Sequence, residues 1–375
     1  MARFVVNGFN ADMLRTNPHT NDALRKTLTV ADLRFTPPNV PLPILAEAAK
    51  NAFGLEGRMV PLAGERDQNF WLRPQEGSGY LLKVASPLED PAQIDFQISA
   101  LEHLAAHGED LPVPRMIRTN DGALTVPIEY EEQDYSMRLL SFVPGRPLVS
   151  VPWEGDEVSR GVGALLGSLN RALASYSHPA QRHFMPWDIK NGLLESSQMV
   201  GEYLPADLVK ACMPEIARLA ETSLPKIRAM PHQVIHNDAH TGNVIVDPEE
   251  NVRVCGLIDF GDLVAGPLVQ DMAISLSSLF ERSDDPVATT VAFLKGYSSV
   301  SRLPVGQLPY LYDAILARQI LTVELLNFRV WHDLPGSTEL AASDLPRSIE
   351  ALRNQLAANS SDFTCRILDA AGKMD

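Results

Sequence analysis

The sequence predicts an α+β protein of two lobes, a small antiparallel five-stranded sheet lobe followed by a larger, mostly helical one. Three observations carry that expectation. Short apolar runs separated by turn residues crowd between Pro61 and Val143. Past Pro144-Gly145-Arg146-Pro147 the pattern changes to long stripes at helical spacing. Within this helical region the stretch Val234–Asp262 holds two short apolar runs, each ending beside carboxylates that packing does not require.

Residues 1–36 are polar, weakly patterned and lead into the Pro-rich Phe35–Pro43, so they read as an extension and linker. A short helix over Ile44–Phe53 is closed by Gly54. Gly64–Asn69 leads into a strand at Phe70–Leu72, Gly77-Ser78-Gly79 turns the chain, and Tyr80–Val84 follows as an apolar strand containing Lys83. A lysine in such a run is costly to bury unless paired; taken alone it reads as an edge-strand charge reaching solvent. The next helix, Pro91–His107, sets Gln97, Leu101 and Leu104 on its apolar stripe with Asp95 and Glu102 to the side. After Leu111-Pro112-Val113-Pro114, strands over Leu124–Tyr130 and Tyr135–Val143 complete the sheet. Residues 37–143 therefore form the small lobe and 144–375 the helical one, with the hinge at Pro144.

In the helical lobe Val158, Val162, Leu166, Leu169 and Leu173, then Leu208, Cys212, Ile216 and Leu219, are core stripes. Between them His183–Asn191 mixes aromatic, acidic and basic residues, and Asp188 either touches a substrate or caps the following helix. Asp271 falls in a largely apolar helix, Leu268–Leu279, opened by Pro267. It is either buried with partners or solvent-facing. In the helix over Pro309–Trp331, Arg318 has an apolar context; it takes a ligand carboxylate in a bidentate fork or pairs internally with Glu324 or Asp313. A last helix covers Leu345–Ala357.

The Val234–Asp262 stretch carries the chemistry. It supplies His236, Asn237, Asp238 and, five residues on, Asn243, then Asp259-Phe260-Gly261. Transfer of a phosphoryl group from a nucleotide to a hydroxyl asks for such a set: an aspartate to accept the hydroxyl proton, with an Asn and a second Asp to hold magnesium. Asp238, Asn243 and Asp259 fit those roles in that order. Each motif by itself also fits a hairpin with an Asn-Asp turn and a loop-capping Asp259.

Composition narrows the classes. With 47 acidic against 32 basic residues the net charge is −15, which disfavours nucleic acid and anionic membranes as partners and is compatible with a cationic or zwitterionic small substrate, as it is with an acidic protein of no special preference. Three cysteines without C-x-x-C spacing argue against a disulfide framework and a structural zinc. No leader pattern opens the sequence and no apolar run is long enough to span a bilayer, so the cytoplasm is the expected compartment.

The H-x-D-x-x-x-x-N and D-F-G pair is the protein-kinase signature, and HNDAHTGN is similar to the HGDLHPGN of the aminoglycoside phosphotransferase and choline-kinase-like family. Within that family DQNF (Asp67–Phe70), YLLKV around Lys83, Gln97, FVPGRPL (Phe142–Leu148), WDIKN and GLIDFGD (Gly256–Asp262) resemble the hydroxylysine kinase group. The resemblance covers nearly everything from residue 40 and implies a protein-kinase-like fold. It implies Asp238 as base, Asn243 and Asp259 as magnesium ligands, Lys83 as phosphate ligand, and ATP or GTP as donor. Family members carry a helix glutamate to pair with the lysine; here Gln97 stands in that place, or Asp95 or Glu102 reaches in. The nucleotide base would meet backbone groups near Ser141 to Val143. Only Gly64 stands where protein kinases have three glycines, so phosphates would be held by the Glu65–Asn69 turn. His236 and Asp271 are expected to support the site, and His240 is left without a role. Asn237 replaces a glycine common among relatives and is expected to add a side chain beside the acceptor. The acceptor is expected to be a hydroxyl of a small amine or amino acid, hydroxylysine first, clamped by Asp188 and Arg318. Aminoglycosides or other amino alcohols are the alternative acceptors, and a nucleotide-binding pseudokinase is the alternative of another class.

Overall fold

A computed structural model describes residues 37–64, 66–77, 79–108, 110–153, 155–193, 200–250, 252–334 and 336–374, so the expected extension over 1–36 lies outside the described residues. The first element is helix α1 (Leu42–Phe53), which buries Leu45, Ala49 and Phe53 and stops at Gly54 in the left-handed region, φ 68°. Strands β1 (Arg58–Leu62), β2 (Gln68–Arg73) and β3 (Tyr80–Ala85) follow as an antiparallel meander.

Helix α2 (Pro91–His107) starts on Asp90, whose carboxylate accepts from the Ala92 N–H at 2.9 Å, with Pro91 in the first turn. It is succeeded by β4 (Met116–Ile117), β5 (Val126–Tyr130) and β6 (Gln133–Ser141). The sheet runs β1-β2-β3-β6-β4 with β5 also on β6, giving six strands instead of the five expected. The extra strand is β4, two residues paired with Leu140 and Leu139, too short to leave a period in the sequence. β6 starts two residues earlier than expected because Glu131 and Glu132, at φ 49° and 60°, make a tight hairpin turn. It ends at Ser141, where Phe142 leaves the strand to stack on Trp71 at 4.4 Å.

Past the sheet, Gly145 sits at φ 135°, and a Cβ there would lie 2.4 Å from Ile245 Cγ2, so only glycine lets the chain pass. The short β7 (Arg146–Pro147) pairs with β9 (Val244–Val246), and β9 with β10 (Val254–Leu257). A second small ladder joins β8 (Gln233–Ile235) to β11 (Val264–Gly266). The β8–β11 ladder holds both ends of the 234–262 stretch, and the β9–β10 pair closes a hairpin within it.

The helical lobe is built from α3 (Asp156–Leu173), α4 (Ala206–Glu221), α5 (Ser223–Ala229), α6 (Leu268–Phe280), α7 (Pro286–Ser298), α8 (Leu311–Trp331), α9 (Leu345–Ala357) and α10 (Ser360–Ala371). α6 is the central helix, buried from Val269 to Phe280. One core joins these helices to Phe96, Leu101 and Leu104 of α2, while a second holds α1 against Leu82, Val84 and Leu139 of the sheet. Thus α2 packs on both lobes: Ile94 and Ile98 meet Ala85 of β3, while Phe96, Leu101 and Leu104 join the helical core. Among the described residues no helix is long and apolar enough to cross a membrane.

Candidate active site

β8 carries the chain into the cleft between the lobes. His236 is fully buried, lies edge-on to Phe260 with ring centres 4.7 Å apart, and accepts at Nδ1 from the Asp238 N–H at 3.2 Å. Asn237 takes the left-handed conformation, φ 63°, which asparagine tolerates better than most residues. Its side chain is fully buried and turned inward, accepting from Gln270 Nε2 at 2.7 Å. The sequence expectation set this side chain at the cleft; the backbone turn instead points it into the core.

Asp271 on α6 is fully buried and gathers this loop. Its carboxylate accepts from the His236 N–H (3.4 Å), the Asn237 N–H (2.9 Å) and Asn170 Nδ2 (2.8 Å). Burial pushes its pKa up against those hydrogen bonds.

Asn243 donates its amide to Asp238 Oδ2 at 2.8 Å and to the Asp238 carbonyl at 2.9 Å. The other carboxylate oxygen of Asp238 faces Arg318 at 3.4 Å, and His240 Nε2 lies 3.5 Å from Oδ2. Burial opposes the charge on Asp238, but His240 and Arg318 outweigh it, and the carboxyl is held below its usual pKa. His240 shifts upward: burial works against its proton, and Asp238 more than restores it.

Asp259, at φ 64°, closes the stretch from the other side. Lys83 Nζ lies 3.4 Å from its Oδ1 and, against the penalty of burial, lowers its pKa to about 2. Its side chain is 51% exposed to the cleft. Three residues on, Asp262 pairs with Arg66, yet burial together with Asp238 and Asp259 lifts its pKa to about 6. Arg66, Lys83, Gln97, Asp238, Asp259 and Asp262 line one cleft of about 460 Å³, open to solvent.

Lys83 is buried in this cleft, and its partner in the sheet lobe is Asp67 at 3.1 Å. That corrects the expectation for Gln97, which instead accepts from Arg138 at 3.0 Å and donates to Glu89 at 2.9 Å. Neither helix acid reaches the lysine: Glu102 pairs with Arg118, and Asp95 with His178. Ser141 has its N–H committed to the Arg115 carbonyl at 2.8 Å, and Phe142 donates to Gly79 at 3.2 Å, so neither N–H is open to a nucleotide base. Val143 is half-buried and packs where a side chain on Gly256 would stand.

The two residues expected to clamp an acceptor are both engaged. Asp188 is fully buried, pairs with Lys190 and accepts from Asn191 at 3.2 Å, so it fastens its own loop and offers no free anion. Arg318 stacks over the Trp187 ring at 4.9 Å, donates to the Trp187 carbonyl at 2.8 Å and faces Asp238. Its carboxylate lies 80 positions away in sequence, not on its own helix; Asp313 is taken by Arg218. Sequence reasoning misses Arg66, Asp67, Arg138 and Asp262 as a group. Their signal is charge placed inside or at the ends of apolar strands, as in GERDQNF and MRLLSFV.

As for a metal, Asn243 turns its NH2 toward Asp238 and leaves the amide oxygen for a cation, and Asp259 is an ionised, half-exposed carboxylate. Hard oxygens in this number suit magnesium, which completes its shell with phosphate oxygens and water. Among the described residues no three His, Cys, Asp or Glu side chains cluster to hold a metal unaided.

The sequence matches the model of the phosphotransferase enzyme family (APH) over residues 58–303, and the chain belongs to that family. It is a small-molecule kinase with a protein-kinase-like fold. It is similar to hydroxylysine kinase of Danio rerio, 24% identical over 310 residues that span 78% of this chain and 85% of that protein. Homoserine kinase of Pseudomonas aeruginosa (strain LESB58) is 28% identical over 242 residues, 63% of this chain and 69% of that one. A microcompartment-associated aminopropanol kinase shares the fold, with a TM-score of 0.68 at 18% identity over 86% of this chain and 98% of that one.

Proposed function

We propose that the chain transfers the γ-phosphoryl group of ATP or GTP to a hydroxyl of a small amine or amino acid, with hydroxylysine as the first candidate. The observation that carries this reading is the placement of Asp238, held ionised by Arg318 and His240, in the same cleft as Lys83 and Asp259. Hydroxylysine and homoserine kinases among the relatives support an acceptor that carries both an amine and a hydroxyl.

In the proposed reaction Asp238 accepts a hydrogen bond from the acceptor hydroxyl and aims its oxygen at the γ-phosphorus. The new O–P bond forms as the bond to the β,γ-bridging oxygen breaks, the hydroxyl proton passes to Asp238, and a nucleoside diphosphate leaves. A carboxylate of lowered pKa is a weak base, but the loose transition state demands little of it, because most of the P–O cleavage precedes proton loss. Asp238 therefore acts mainly by orientation, and Arg318 and His240 keep it charged and in place. Lys83 would hold donor phosphates. Asn243 and Asp259 would hold magnesium, which when bound neutralises phosphate charge. With Asp188 and Arg318 engaged internally and Asp262 paired with Arg66, the net acidic lining of the cleft, Asp67, Glu89, Asp238, Asp259 and Asp262 against Arg66 and Lys83, is what would attract the acceptor's amine.

A screen of amino acids and amino alcohols, including hydroxylysine, homoserine and aminopropanol, for acceptor-dependent nucleotide consumption tests the acceptor class. Aminoglycosides belong in the same panel. Turnover with an aminoglycoside alone would replace the amino-acid reading.

A further inference from the structure

Three strands place three charged or polar side chains on one face beneath the cleft. Lys83 on β3 lies directly opposite Asn69 on β2 and Arg138 on β6. Two cations side by side across a ladder repel each other, and both are buried, at 8% and 3% exposure. Asp67, in the bend immediately before β2, resolves the conflict. One of its oxygens, Oδ2, lies 3.1 Å from Lys83 and 3.0 Å from Arg138. Arg138 is fixed in turn by Gln97 of α2 at 3.0 Å, and Gln97 by Glu89 at 2.9 Å.

We infer that Asp67 is the positioning residue for Lys83, in place of an acid on α2, and that Arg138 and Gln97 hold Asp67 for that task. The inference rests on the reading of Lys83 as a donor-phosphate ligand. Lys83 stands between two carboxylates, Asp67 at 3.1 Å and Asp259 at 3.4 Å. Without the pull of Asp67 the lysine moves onto Asp259, where it covers a proposed metal ligand and leaves the phosphates. The neutral residue on α2 follows from the same geometry. A glutamate at position 97 would add a third acid beside Asp67 and Glu89, whereas glutamine accepts from Arg138 through its oxygen and donates to Glu89 through its nitrogen.

Calorimetric titration of the full chain with ADP and with a non-hydrolysable ATP analogue, both with magnesium, tests this without knowledge of the acceptor. Asp67→Asn is expected to weaken nucleotide binding about tenfold, Lys83→Met likewise, and the double variant no more than Lys83→Met by itself. A residue that only stabilised the sheet would add its effect to that of Lys83→Met. If Asp67→Asn leaves too little folded protein, Asp67→Asn/Arg138→Gln removes one cation with the anion, avoids an orphaned buried charge, and is expected to show the same loss. Wild-type affinity in a folded Asp67 variant, or additive losses in the double variant, overturns the inference. Wild-type affinity in Lys83→Met overturns instead the reading of Lys83 on which it rests.

Discussion

The 234–262 stretch and the charged row under the sheet both face one cleft, yet they are made in different ways. In the first, Asp238 and Asn243 are five residues apart and meet because one turn between two short ladders brings them together at 2.8 Å. In the second, Asp67, Lys83 and Arg138 come from separate segments of the sheet lobe and meet only through sheet register. A locally closed loop keeps its chemistry as long as it folds; a row set by register depends on the whole lobe. The helical side therefore carries the proposed reacting groups, and the sheet side the proposed donor lysine, which lies 3.1 Å from Asp67.

Asp259→Ala removes a proposed metal ligand and the lysine's second partner, and is expected to lower kcat by about 10² to 10³, measured with saturating nucleotide and whichever acceptor the screen identifies. A smaller loss, below about tenfold, would place the metal elsewhere. Asp271→Ala strips three hydrogen bonds from a fully buried carboxylate and is expected to cost about 3–5 kcal/mol of stability, read by urea unfolding. Unchanged stability would show that the loop closes without α6.

Arg66→Ala breaks the one described ion pair between the β1–β2 turn and Asp262. It is expected to raise the nucleotide KM a few-fold, about 0.5–1 kcal/mol for a partly exposed pair, with less change than Lys83→Met. The smallest effect concerns pH. His240 has its folded pKa raised above 6.5, so the stability it contributes is fully present below pH 6.5 and fades as pH rises through the raised value. The stability difference between the wild type and His240→Gln should therefore be larger near about pH 6 than near about pH 9. A difference that grows with pH would contradict the His240–Asp238 pairing.

Much of the first region is legible in the sequence, and less of the second. The spacing of Asp238, Asn243 and Asp259 is local, so residue type and interval suffice to gather them as candidates. The sequence assigns Gln97 to Lys83 because both lie on apolar stripes, but a stripe gives a facing direction and not a partner; Arg138, from a strand about 40 residues later, takes it. Asp188 resembles a clamp because its loop is rich in charge, and no sequence pattern reports that Lys190 closes on it in the interior. Asn237 misleads for a similar reason: the left-handed turn that aims it at Gln270 is visible only in the backbone. The apolar setting of Arg318 does signal burial, while its carboxylate comes from a loop 80 positions earlier in the sequence. β4 escapes notice because two residues carry no period.

The central claim is that Asp238 directs phosphoryl transfer to an acceptor hydroxyl while the sheet lobe holds the donor. Its most direct test follows labelled γ-phosphate from ATP and from GTP in the presence of magnesium and hydroxylysine, for the wild type and Asp238→Asn, alongside calorimetric nucleotide affinity. The account predicts phosphohydroxylysine from the wild type, a loss of about 10² to 10⁴ in rate for Asp238→Asn, and nearly unchanged nucleotide binding. Transfer by Asp238→Asn at the wild-type rate would contradict it.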